Sequence, residues 1–100
     1  MPFGLRPDVL EKICAVFSQH PEVSQAVLYG SRAKGNFKPY SDIDIALNGD
    51  NLTLMVKGKI EDEIDDLLLP YKMDLVLFKY ITNDNLLAHI KRVGQSIYHV

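Results

Sequence analysis

The chain has 100 residues, 24% of them charged, with 11 Lys and Arg against 13 Asp and Glu and a formal charge of −2. That length accommodates one core and no second domain, since domains usually run to ~100–150 residues, and a hydrophobic share of 47% excludes a disordered tail. The near-neutral balance argues against direct nucleic-acid binding, which calls for a basic chain.

Pro7, Asp8 and Glu11 predict a helix start, with proline in the first turn and acids near the positive end of the dipole. Val9, Leu10, Ile13, Val16 and Phe17 then recur at helical spacing until Pro21 stops the run. Residues 23–29, V-S-Q-A-V-L-Y, read as a strand ending at Gly30. A polar connection with Gly35, Asn36 and Pro39 follows, with room for one helical turn at Ser31 to Lys34. The second strand is D-I-D-I-A-L at 42–47, closed by Asn48-Gly49.

A longer helix is predicted from Leu52 to Leu68, its apolar stripe formed by Val56, Ile60, Ile64 and Leu67. Gly58 weakens it by ~1 kcal/mol relative to Ala. A third strand, K-M-D-L-V-L-F, covers 72–78, and Thr82 or Asn83 caps a last helix carrying Leu86, Leu87, Ile90 and Val93, with Gly94 at its end. S-I-Y-H-V completes the chain as a short strand. Helices alternating with strands predict an α/β (α+β) fold: a single domain, residues 1–100, with a mixed sheet of about four strands flanked by helices. The short link between the first two strands favours antiparallel pairing over a parallel crossover.

Cys14 stands alone, so neither an intrachain disulfide nor a thiolate cage is available. The first ten residues lack the basic start and apolar run of a signal peptide, and no apolar stretch approaches the ~18 residues of a membrane span. A soluble, cytoplasmic protein without membrane contact is expected.

Charge is patterned along the chain. Five acids, Glu61, Asp62, Glu63, Asp65 and Asp66, fall within six positions, and the eight that remain are outnumbered by the eleven bases. Three bases, Arg32, Lys34 and Lys38, lie in the glycine-containing stretch just before Asp42 and Asp44. In a strand, side chains i and i+2 share a face, so Asp42 and Asp44 project together. Two carboxylates so placed repel unless a proton or cation intervenes, and Mg2+ favours one or two carboxylates supplemented by substrate phosphates. D-x-D alone also describes two solvated acids. It is no EF-hand: Ala46 and Leu47 stand where a calcium loop needs a ligand and a glycine.

Asp74 interrupts the third strand; if that strand neighbours the second, all three acids converge on one face. Gly30 permits close approach to the backbone, Ser31 adds a hydroxyl, and Arg32 and Lys34 can neutralise a polyphosphate. His20, His89 and His99 are too dispersed for a zinc site, and His20 and His89 read as surface or boundary groups. Cys14 reads as structural, and the Glu61–Asp66 cluster as a solvated face or a dock for a basic partner.

Gly30-Ser31, ten intervening residues and then Asp42-Ile43-Asp44 resembles the G-S-x10-D-x-D signature of the DNA polymerase β-like nucleotidyltransferases. The whole stretch from Gly30 to Leu47, together with K-M-D-L-V later, is most similar to the minimal nucleotidyltransferases, or MNT proteins. The resemblance implies the nucleotidyltransferase fold, with two Mg2+ ions held by Asp42, Asp44 and Asp74. It also implies that Gly30, Ser31, Arg32 and Lys34 bind a nucleotide triphosphate. The implied activity is transfer of a nucleoside monophosphate, AMP from ATP, to a hydroxyl of a partner protein. The implied partner is a small helical HEPN-type toxin, with this chain as antitoxin in a homo- or hetero-oligomer. The alternative is a catalytically silent module that neutralises a toxin by contact; a sugar-nucleotide glycosyltransferase, which also uses D-x-D, is a poor fit to so short a chain.

Overall fold

A computed structural model describes residues 2–100. A short turn of 3-10 helix at Pro2–Gly4 precedes α1 (Pro7–Ser18), followed by β1 (Gln25–Tyr29), α2 (Gly30–Lys34), β2 (Ile43–Asn48), α3 (Leu54–Asp65), β3 (Met73–Leu77), α4 (Asp84–Val93) and β4 (Gln95–His99). The strands form one mixed sheet in the order β3-β2-β1-β4. The central strand β1 is antiparallel to both β2 and β4, and β2 runs parallel to β3 across the α3 connection. Parallel neighbours require such a crossover, whereas the short α2 link suffices for antiparallel ones.

Caps set the helix limits. Thr53 accepts a hydrogen bond from the Val56 N–H, so α3 begins at Leu54 and Leu52 is left as a buried plug ahead of it. At the other end Leu68 turns to φ 54, which ends the helix short of the predicted Leu68 boundary. Asn83, rather than Thr82, caps α4 by accepting from the Leu86 N–H. Each such cap stabilises its helix by about 1 kcal/mol.

The two faces of the sheet have different coverings. Leu28, Ile43, Ile45, Leu47, Leu75 and Leu77 pack with Val9, Ile13 and Phe17 of α1 and Ile60 and Ile64 of α3 in the main core. The opposite face carries Val27, Tyr29, Ala46 and Val76, covered by Leu86 and Ile90 of α4. Strand alternation therefore hands Asp44 and Asp74 to the α4 face, because they are two residues from Ala46 and Val76. The strand itself begins at Ile43, leaving Asp42 in the coil just before it. Among the described residues no helix is long and apolar enough to cross a membrane.

Candidate active site

Asp44 is paired in register with Tyr29 on one side and with Asp74 on the other. Directly paired residues point to the same face, so Tyr29, Asp44 and Asp74 form a row across three adjacent strands. Asp44 is half-buried, whereas Asp42 and Asp74 are exposed. Burial first, then the charges of Asp74 and Asp42, push the Asp44 carboxyl above its ordinary value of 3.8. The three carboxylates thus share one field centred on Asp44. Burial, followed by the charges of Asp44 and Asp74, pushes Tyr29 up to about 12, so this residue stays a neutral phenol.

Gly30 sits where β1 turns into α2, at φ +75. A β-carbon there would strain the backbone and collide with the Asp44 carboxylate. Glycine is therefore needed on both counts, and it brings the Gly30-Ser31 backbone directly against the central acid. The Gly30 N–H donates to Nε2 of His89 at 3.1 Å. The His89 ring stands edge-on to Tyr29, with centroids 6.2 Å apart and planes at 81°. Ser31 follows in the first turn of α2, half-buried, and Lys34 is exposed at the end of that helix. Gly35, in the left-handed region at φ 90, closes it by donating its N–H to the Ser31 carbonyl.

Arg32 departs from its expected place on the triphosphate. It is 2% exposed and directs its guanidinium inward, donating to the Ser41 carbonyl from Nε and Nη2 (3.1 and 3.0 Å), to the Phe3 carbonyl from Nη1 (2.8 Å) and to the Pro39 carbonyl from Nη2 (3.3 Å). The Phe37 and Tyr71 rings lie 5.2 and 5.0 Å from its central carbon. Its donors are committed to the protein's own backbone. Arg32 ties α2 to the N-terminal turn and to the loop that leads into Asp42.

The donor set suits a hard cation. Among the described residues no group of three or more Asp, Glu, His or Cys side chains is placed to hold a metal ion by itself. Mg2+ commonly takes only one or two carboxylates, with substrate phosphates and water completing its shell. A cavity of about 480 Å3 lies elsewhere, between α3 and β3, where Glu61, Asp62 and Asp65 line it with Tyr71 and Lys72. Glu63, from the same acidic run, instead pairs with Nε2 of His20.

Two residues at the site escaped sequence reasoning. His89 gave no local signal, since its partner Gly30 is 59 positions away. Tyr29 had one: it immediately precedes Gly30-Ser31 at the end of a strand.

The chain belongs to the polymerase beta nucleotidyltransferase family, whose model matches residues 11–100. Solved structures share its fold. A toxin–antitoxin with AMP-PNP superposes with a TM-score of 0.73 at 22% identity, over 91% of this chain and 73% of that one. An MNT antitoxin in complex with tri-AMPylated HEPN toxin, from Shewanella oneidensis, gives 0.70 at 18% identity over 96% and 74%. The MntA–HepT toxin–antitoxin gives 0.69 at 18% identity over 95% and 74%. No curated protein matches the chain.

Proposed function

We propose that this nucleotidyltransferase is Mg2+-dependent and moves AMP from ATP to a hydroxyl of a partner protein, acting in the cytoplasm as the antitoxin of a small helical HEPN-type toxin. The observation that carries the reading is the register pairing of Asp44 with Asp74 on the face where Gly30 presses against Asp44. It sets a glycine turn of the kind that suits phosphate beside carboxylates of the kind that suit a hard cation, which supports the reading. The similarity in fold to chains crystallised with AMP-PNP or beside an AMPylated HEPN toxin supports the choice of nucleotide and acceptor.

In this reading Gly30 and Ser31 cradle the triphosphate, with Lys34 lending charge from the exposed end of α2. Arg32 serves the same loop from below by fixing its backbone. Asp42, Asp44 and Asp74 would hold Mg2+, which when bound neutralises the phosphates and polarises the reacting oxygens. The acceptor oxygen bonds to the α-phosphorus as the bond to pyrophosphate breaks, and the hydroxyl proton leaves toward exposed Asp74. In this reading the partner itself supplies the acceptor hydroxyl.

The test is incubation with Mg2+, ATP and the product of the neighbouring gene, followed by intact-mass measurement. An AMP adduct on the partner, lost in Asp44→Ala, is the expected result. No adduct, with tight binding that survives Asp44→Ala, would replace transfer with neutralisation by contact.

A further inference from the structure

We infer that His89 is a positioning residue for the nucleotide loop: by accepting the Gly30 N–H at Nε2, it pins the Gly30 turn against Asp44 and so sets the Gly-Ser backbone relative to the carboxylates. The inference rests on the transferase reading and assigns a role in it to a helix remote in sequence.

Three observations carry it. Glycine at φ +75 has many alternatives close in energy, so the turn needs an external restraint to keep one geometry. The N–H of a first helical residue has no intrahelical acceptor, and at Gly30 the acceptor is supplied from α4, 59 positions away, at 3.1 Å. The imidazole is itself held in place. Its neighbour Ile90 is buried at 3% exposure, and the ring meets the buried Tyr29 edge-on. Tyr29 and Gly30 are consecutive, so His89 grips the β1–α2 junction at two adjacent residues. A histidine present only to pack on Tyr29 would have no need to aim Nε2 at the amide. Acceptance at Nε2 requires that nitrogen to be unprotonated, which leaves the ring proton of the neutral form on Nδ1.

The test separates the acceptor from the ring. In His89→Gln the side-chain carbonyl can take the place of Nε2 as acceptor, whereas His89→Ala offers none. Losing one hydrogen bond of about 1 kcal/mol corresponds to roughly fivefold, so His89→Ala should weaken Mg-ATP binding and raise the nucleotide KM about fivefold with kcat little changed. His89→Gln should restore both to within about twofold. Hydrogen exchange of the Gly30 amide, followed by NMR in 15N-glycine-labelled protein with its 6 glycines, should quicken in His89→Ala and stay slow in His89→Gln. Wild-type affinity and exchange in His89→Ala would overturn the assignment, as would a folded His89→Gln as impaired as His89→Ala. Wild-type protein that takes up no Mg-ATP would sink the transferase reading instead, and Gly30 exchange alone would then decide the role of His89.

Discussion

The buried Arg32 makes the sharpest claim about stability. Replacing it with alanine removes four charge-assisted hydrogen bonds to three carbonyls and two aromatic contacts. Hydrogen bonds to charged groups contribute about 1.5–3 kcal/mol each, but burying the cation without a carboxylate partner offsets much of that sum. The net loss should be about 3–5 kcal/mol, because three part-buried carbonyls lose their donor at about 1–3 kcal/mol each while the cost of burying the cation is relieved. That is a large share of the roughly 5–15 kcal/mol that holds a domain together. Thermal unfolding followed by circular dichroism should show Tm falling by roughly 12–40 °C, since 1 kcal/mol corresponds to about 4–8 °C at this size. Arg32→Lys should recover only part of the loss, because one ammonium cannot span three carbonyls on two sides. An Arg32→Lys protein of wild-type Tm that no longer binds ATP would refute the reasoning and return Arg32 to the triphosphate.

Asp44→Asn should abolish transfer while raising the Tm of the apo protein. The sign follows from the raised Asp44 pKa, whose causes are burial and then Asp74 and Asp42. The fold favours the protonated acid, so wild-type stability falls as pH rises from the ordinary value of 3.8 through the higher folded one. The Asn variant should lack that component, which paired melts across the acidic range will show. Saturating Mg-ATP should stabilise the wild type by about 2.7 kcal/mol at a hundredfold excess over Kd, and EDTA should reverse the gain; an unmoved melt would count against the site. Gly30→Ala should cost about 1–3 kcal/mol from backbone strain alone and abolish nucleotide binding, read by calorimetry on the folded fraction.

What was legible in the sequence was whatever depends on local order. The 3.6-residue stripe of α1, the alternation of D-I-D-I-A-L and the cap at Asn83 act over a few residues, so pattern and element agree to within a few positions, whereas the Thr53 cap was passed over and the helix start misplaced at Leu52. Pairing partners were only conditionally legible. The convergence of Asp44 and Asp74 required β3 to lie beside β2, which tertiary packing decides. Arg32 and His89 were misjudged for one reason: each is defined by groups distant in sequence. The carbonyl of Phe3 and the ring of Tyr71 reach Arg32 from outside its own loop, while Gly30 reaches His89 across most of the fold. A base in a glycine-containing stretch looks solvated until the walls around it are known, and a lone histidine on a helix looks peripheral until the helix is placed.

The strand order also governs what happens while the chain is being made. β1 pairs with β2, which follows after one short helix, but its other edge waits for β4 at Gln95–His99. Until those last residues leave the ribosome, the Gln25–Tyr29 backbone stands as an open edge carrying Val27 and Leu28. An unpaired edge of that kind is a template for joining other chains. A product stopped short of residue 95 should therefore self-associate as well as lose activity, because only the pairing with β4 closes that edge.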